Sequence, residues 1–185
     1  MNNIYFSSDC HFSHNQPFLY EPRGFSSVED MNEAIVERFN SIVNNDDDLY
    51  LLGDVLMGEL EEAIEYLKRL NGRIHIVCGN HCTNRRIEAY KTLPNVVEVV
   101  ETATQIKYRK WLFYISHWPT LVSNFEEKRK FWSLHGHTHS QDRYQFAKHC
   151  AYNVACDAHD CYPIEIEQII EDIKKYTEEN INEEV

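Results

Sequence analysis

The chain has 185 residues, 43% of them hydrophobic, and carries 30 acidic side chains against 18 lysines and arginines, a formal net charge of -12. That length suits one domain with a sizeable core, and the acidic surplus argues against an extended nucleic-acid footprint, although small phosphorylated substrates stay open if bound divalent cations reverse the local field. No apolar run approaches the roughly 18 residues of a membrane span, and the opening "MNNIYFSSDCHF" lacks the basic start and apolar stretch of an export signal, so a soluble cytoplasmic protein is expected, with Cys10, Cys78, Cys82, Cys150, Cys156 and Cys161 as reduced thiols.

The segment "NIYFSSD" reads as a short apolar strand that ends on a carboxylate, and the polar stretch with Pro17, Pro22 and Gly24 reads as loop. Val28, Met31, Ile35, Phe39 and Ile42 then recur at helical spacing, with Ser26 or Ser27 as N-cap and acids in the first turn, which predicts a helix from Ser27 to Asn44. "DLYLLGD" is a buried strand, "GELEEAIEYLKRLNG" an amphipathic helix closed by Gly72, and "RIHIVCGN" a second buried strand. The second half changes character: "VVEVVETATQIKY", "KWLFYISHW", "FWSLHGHTH" and "HCAYNVAC" are strand-like, and "IEQIIEDIKKY" closes the chain as a helix. An α/β fold is expected, with two packed mixed β-sheets flanked by helices, rather than one open sheet. The domain should span residues 1–176, followed by an acidic, frayed tail over 177–185.

Each apolar strand ends in residues able to bind a metal: Asp9 and His11, then Asp54, Asn80 with His81, His117, and finally His137 and His139. Ligands of α/β sheets gather beyond the carboxyl ends of the strands, so these five segments can converge at one edge. Residues i and i+2 of an extended segment share a side, which would let Asp9 act with His11 and His137 with His139. Carboxylate, imidazole and carboxamide donors suit manganese, iron, cobalt or zinc better than calcium or magnesium alone. Leaving His81 aside, seven donors exceed one tetrahedral ion, whereas two ions about 3.5–4 Å apart that share a carboxylate would use them all, an arrangement suited to hydrolysis at phosphorus.

The blocks "DCH" at 9–11, "GD" at 53–54, "GNH" at 79–81, "SHW" at 116–118 and "GHTH" at 136–139 resemble, in order and approximate spacing, those of the calcineurin-like metallophosphoesterases, and "NVACDAHDCYPIEIEQI" resembles the end of their small bacterial and phage members. The resemblance implies a four-layer α/β/β/α sandwich. It also implies a first metal on Asp9, His11 and His139, a second on Asn80, His117 and His137, and Asp54 as the bridge. A shared water or hydroxide would attack phosphorus, and His81 would protonate the leaving group or steady the transition state. The cofactors implied are two divalent ions from among manganese, iron, zinc, cobalt and nickel. The family motif commonly continues with an acid after "GNH", where this chain has Cys82.

Several residues invite smaller readings. His14, Arg23 and Arg85 are candidate phosphate contacts, with Arg86 sharing the ambiguity of Arg85. His135 reads as support for the ligands or packing, His75 as a residue of a sheet face, His149 and His159 as loop histidines, and Cys78 and Cys82 as core and loop thiols. The aromatics Trp118, Phe125, Phe131 and Trp132 read as packing more than as a base platform. A phosphomonoester or phosphodiester hydrolase is the reading reached. Its rivals are a two-metal hydrolase acting on another bond and a binding module on the same fold with little turnover.

Overall fold

Strand and helix alternate through the first half because each apolar run is short and each helical stripe is one-sided. In the computed structural model, which describes residues 2–122 and 130–180, β1 (Ile4–Ser7), β2 (Asp48–Leu52), β3 (Arg73–Val77) and β4 (Val96–Val100) lie parallel in the order β4-β3-β2-β1. The short β9 (Ile164–Glu165) closes this sheet antiparallel to β1. The crossovers carry α1 (Pro17–Tyr20), α2 (Val28–Ile42), α3 (Leu60–Lys68) and α4 (Asn84–Lys91). In the second sheet, β5 (Ala103–Tyr108) pairs antiparallel with β6 (Trp111–Ser116), while β7 (Phe131–His135) and β8 (Ala151–Asn153) continue parallel to β6. The last helix, α5, runs over Ile166–Asn180.

Most boundaries follow from local chemistry. Ser27 caps α2, its hydroxyl accepting the Asp30 amide at 3.1 Å, with Glu29 and Asp30 favourably placed at the positive helix end. The helix stops at Ile42, short of the expected Asn44, because Val43 turns extended and enters the core at 1% exposure. α3 ends at Lys68, and the chain reverses into β3 at Gly72, whose φ of +98° would strain any residue with a Cβ. Pro17 starts the one-turn α1 inside the segment read as loop. α5 extends to Asn180, four residues into the stretch expected to fray; Thr177 donates to the Ile173 carbonyl at 2.7 Å and Asn180 to that of Tyr176 at 2.8 Å. Residues 181–185, the rest of that tail, lie outside the described residues, as does Phe125.

Strand alternation divides the core in two. Tyr5, Leu49, Leu51, Ile74 and Ile76 face Met31, Ile35, Phe39, Leu67 and Tyr90 on the helices. Phe6, Leu52 and Val77 point the other way, to Phe113, Ile115, Leu134 and Tyr152 of the second sheet, with Ile166, Ile169 and Ile173 of α5 in the same cluster. Both faces of the first sheet are therefore buried, which explains why its strands are nearly continuous apolar runs. Each such side chain contributes about 1.5–3 kcal/mol on burial. Among the described residues no helix is long and apolar enough to cross a membrane.

One buried carboxylate ties α5 to the second sheet. Asp172 accepts from the Tyr152 hydroxyl at 2.5 Å, Gln168 Nε2 at 2.8 Å and Arg143 Nη1 at 3.1 Å. Burial by itself would raise its pKa, but the bonds from Tyr152, Gln168 and Arg143 outweigh it and the pKa is lowered. A lowered folded-state pKa means stability that is present above the unfolded value of about 3.9 and is lost as pH falls through the folded one. Asp172→Asn is expected to cost about 1–3 kcal/mol at pH 7 and to lose less stability than the parent on acidification. Urea melts at pH 7 and pH 3 measure both; an unchanged midpoint at pH 7 would show that the network carries no stability.

Candidate metal centre

The carboxyl ends of β1, β2, β3, β6 and β7 open toward one edge, and an isolated parallel bridge between Ser8 and Ala155 brings the two sheets together there. Their loops do not continue as extended chain. Asp9, His11, Asp54, His137 and His139 all adopt left-handed backbone, with φ of 57°, 51°, 48°, 68° and 51°. The expected convergence of alternate residues is thus reached by another route, tight left-handed turns that Asp and His tolerate better than bulky side chains. Each costs about 1–2 kcal/mol and is held by lacing between loops: Asp9 N donates to Gly53 O at 3.2 Å, His11 N to Asp54 O at 3.0 Å, and Phe12 N to Val55 O at 2.9 Å. Strain of this kind collects where function fixes side-chain direction.

Asp9, His11 and His139 form the first cluster. His11 Nε2 and His139 Nε2 each lie 3.7 Å from Asp9 Oδ1. That carboxylate oxygen and both ring nitrogens of His11 are buried without any hydrogen-bond partner, a costly state for polar atoms unless something else satisfies them. Asp9 Oδ2 is occupied, accepting the His137 amide at 2.9 Å. Burial alone would raise the Asp9 pKa, but the adjacent His11 ring, 3.7 Å away, and the nearby rings of His117 and His139 hold it below the usual range. His139 faces the opposite way electrically: its Nδ1 meets Asp157 Oδ2 at 3.1 Å, and this bond raises its pKa against the effect of burial.

The second cluster surrounds His117, which is fully buried. Its Nδ1 lies 2.8 Å from the Leu52 carbonyl, which can only accept, so Nδ1 carries the proton and Nε2 a lone pair. Around Nε2 stand Asn80 Oδ1 at 3.0 Å, His137 Nδ1 at 3.2 Å and Asp54 Oδ2 at 3.3 Å. Four acceptor-capable atoms crowded together repel one another unless a proton or a cation sits among them. Burial would lower the His117 pKa, yet the bond that a protonated Nε2 gives to Asp54 and the charges of Asp9 and Asp54 favour the cation and raise it. Asp54 responds in kind: burial works to raise its pKa, but the bond from His117 brings it down to about 2.

Asp54 stands between the clusters, its Oδ2 also 4.0 Å from His11 Nε2 and 3.9 Å from His81 Nε2, while Oδ1 accepts the His81 amide at 2.9 Å. Asp9, His11 and His139 present donor atoms within 4.8 Å of one another, and so do Asp9, Asp54 and His117; Asp9 thus joins both sets, where the sequence pointed to Asp54 as the shared residue. Buried carboxylate oxygens and imidazole nitrogens, several unpartnered, match the donor chemistry of a divalent transition ion. Glycines make the approach possible. A Cβ at Gly136 would overlap Ser8 Oγ and Asp9 Oδ2, and one at Gly79 would overlap Asp54 Oδ1.

His81 has its side chain 45% exposed, on the open side of Asp54. No acid orients it. Cys82 instead accepts the Gly79 amide on Sγ at 3.3 Å, and contact with Cys78, working against burial, lowers its thiol pKa to about 7. His81 is fixed through its main chain, with its amide on Asp54 and its carbonyl accepting from Arg86 Nη1 at 2.8 Å.

The arginines offered as phosphate contacts each have partners within the protein. Arg85 pairs with Glu61 on the surface, and Arg86 also donates to the Gly58 carbonyl at 3.2 Å. Arg23 has a side chain only 2% exposed and spends its guanidinium on Asp157. His14 is half-buried and stacks on His11 with ring centroids 5.2 Å apart. His75 lies on the sheet face as expected, bonded to Asp48 at 3.0 Å and Glu98 at 3.1 Å, and His135 is buried with Nδ1 on the Gly136 carbonyl at 2.9 Å. Sequence reasoning missed Asp157; its one signal was that it follows the apolar run "AYNVAC", as Asp9 and Asp54 follow theirs.

Two packed sheets whose strand ends meet in a nest of possible metal donors are the architecture of the metallophosphoesterase class. The chain belongs to the calcineurin-like phosphoesterase family, whose model matches residues 3–181. It is 31% identical over 183 residues to an uncharacterized protein of Methanocaldococcus jannaschii, covering 95% of this chain and 93% of that one. It is also 29% identical over 167 residues to the gene 66 protein of Mycobacterium phage L5, covering 76% and 79%. Among solved structures, a protein of unknown function from Aquifex aeolicus shares the fold with a TM-score of 0.73 at 23% identity, over 92% of this chain and 99% of that one. An archaeal phosphodiesterase does so at 0.51 and 17% identity, over 89% and 98%.

Proposed function

We propose that this chain is a dinuclear metal-dependent phosphoester hydrolase acting on a small phosphorylated substrate. The observation that supports the reading best is that Asp9 Oδ1 and both His11 ring nitrogens are buried without partners, beside the crowd of acceptor-capable atoms that Asn80, Asp54 and His137 form around His117 Nε2. Asp9, His11 and His139 would hold one ion, Asn80, His117 and His137 the other, with Asp54 shared. From the donor set the ions are drawn from manganese, iron, zinc, cobalt and nickel. Bound there, they would supply charge neutralisation at the phosphoryl oxygens and water made acidic enough to attack near neutral pH.

The protein's own residues then have separate tasks. His117 is locked by the Leu52 carbonyl into the tautomer that offers Nε2. Asp54 keeps the two donor sets in register and anchors the His81 amide. His81, exposed beside Asp54, is placed to donate a proton to the departing oxygen. No nucleophilic side chain, and so no covalent phosphoenzyme, is required.

The leaving group tests the His81 assignment. A poor alkoxide needs a proton as the bond breaks, whereas p-nitrophenolate does not. His81→Asn is expected to lower kcat about 10²–10⁴-fold on an alkyl phosphoester and far less on the p-nitrophenyl ester, at saturating manganese. Equal losses on both would remove His81 from proton transfer. No manganese-dependent turnover of any phosphomonoester or phosphodiester by the parent protein would overturn the hydrolase itself.

A further inference from the structure

Behind the first cluster lies an ion pair that the chemistry above does not use. Arg23 donates Nε to Asp157 Oδ1 at 3.0 Å and Nη2 to Asp157 Oδ2 at 2.8 Å, a two-pronged bond between side chains 2% and 10% exposed. The partners are 134 residues apart, Arg23 in the loop after α1 and Asp157 in the turn after β8. Removing two charges from water costs several kcal/mol, and well-packed apolar residues often stabilise as much. A buried pair is therefore weak evidence of a purely stabilising role.

Arg23 Nη1 also reaches the Cys10 carbonyl at 3.5 Å and Met31 Sδ at 3.6 Å, and two of the pair's outward contacts lead to the candidate metal donors. The same Asp157 Oδ2 receives His139 Nδ1 at 3.1 Å, which leaves Nε2 unprotonated and aimed toward Asp9 Oδ1, 3.7 Å away. The same Arg23 Nη2 donates to the main-chain carbonyl of Asp9 at 2.9 Å. One pair thus selects the tautomer of one donor and fixes the backbone of another, itself in strained left-handed conformation. We propose that Arg23 and Asp157 are positioning residues for the first metal site, Asp157 through the ring of His139 and Arg23 through Asp157 and the Asp9 carbonyl. The assignment rests on the reading of Asp9, His11 and His139 as ligands of one ion. It gives Arg23 a different role from the phosphate contact expected of it from sequence.

Manganese titration of the EDTA-treated full chain by calorimetry, with ¹⁵N-histidine spectra of the metal-free protein, tests the pair. Asp157→Asn is expected to weaken one of two sites about 10–100-fold and to leave the other unchanged. Arg23→Lys, which keeps the charge but loses the two-pronged geometry, should weaken the same site less, and the double variant should lie close to Asp157→Asn alone. The metal-free parent should show His139 protonated on Nδ1, a signal lost in Asp157→Asn. Wild-type affinity at both sites in folded variants, equal weakening of both, or an Nε2-protonated His139 in the parent would overturn the proposal while leaving the hydrolase intact. A parent protein that takes up no manganese at all would overturn both.

Discussion

Asp54→Asn should leave a folded protein that has lost at least about 10³-fold in kcat/KM, some 4 kcal/mol of transition-state stabilisation. The reason lies in how the two oxygens of Asp54 are spent. Oδ1 accepts the His81 amide at 2.9 Å, and Oδ2 faces His117 Nε2 at 3.3 Å and His11 Nε2 at 4.0 Å. An asparagine that keeps its oxygen on the His81 amide must turn its NH₂, which has no lone pair to give, toward the shared cation position. One that flips presents donor to donor at His81. Either way the two donor sets lose their common anion. Manganese stoichiometry should fall below that of the parent, and the rise in Tm on adding manganese should shrink, since a ligand at about 100 times its Kd stabilises by about 2.7 kcal/mol. Undiminished turnover with unchanged manganese uptake would remove Asp54 from the centre.

How much of this could be read from the chain depends on whether the determinant is local. α2, α3 and α5 are legible because a one-sided apolar stripe at helical spacing has few other uses. The donors are legible because each ends an apolar run, and parallel strands put those ends at one edge. The break between β4 and β5 at Glu101 and Thr102 was hidden, since "VVEVVETATQIKY" carries no glycine or proline to mark it. The left-handed turns at Asp9, His11 and Asp54 were equally hidden, because these residue types are at home in either conformation.

Long-range partners form the larger gap. Nothing near Arg23 marks it as the mate of Asp157 rather than a phosphate contact, because their pairing is created by the meeting of the two sheets. The motif glycines are a related case. The letters "GHTH" and "GNH" point to the candidate ligands, yet the reason for glycine at 136 and 79 is the carboxylate that occupies the space of a Cβ.

That reason makes Gly136→Ala a strong test of the architecture. Gly136 does not rely on left-handed backbone, so the cost of the methyl group is steric and local. It would overlap Ser8 Oγ and Asp9 Oδ2, both on fully buried residues. Ser8 is held by its 2.5 Å bond to the Leu52 carbonyl, and Asp9 Oδ2 by the His137 amide at 2.9 Å, so neither retreats freely. Overpacking costs about 1–3 kcal/mol, and breaking a hydrogen bond to a charged group about 1.5–3 kcal/mol. Together these correspond to a fall of roughly 10 °C in Tm for a chain of this size. Because the displaced group is Asp9, which would hold the first ion with His11 and His139 and also lies among the donors around His117, manganese uptake should fall with stability. Gly24→Ala is the control: its φ of +85° imposes a conformational cost, but nothing lies within 4 Å of the added Cβ. That variant should lose only about 1–2 kcal/mol and retain full manganese uptake. Thermal melts in EDTA, paired with metal analysis, separate the two, and a Gly136→Ala protein with parental Tm and full occupancy would mean that the space beside Asp9 is not filled as described.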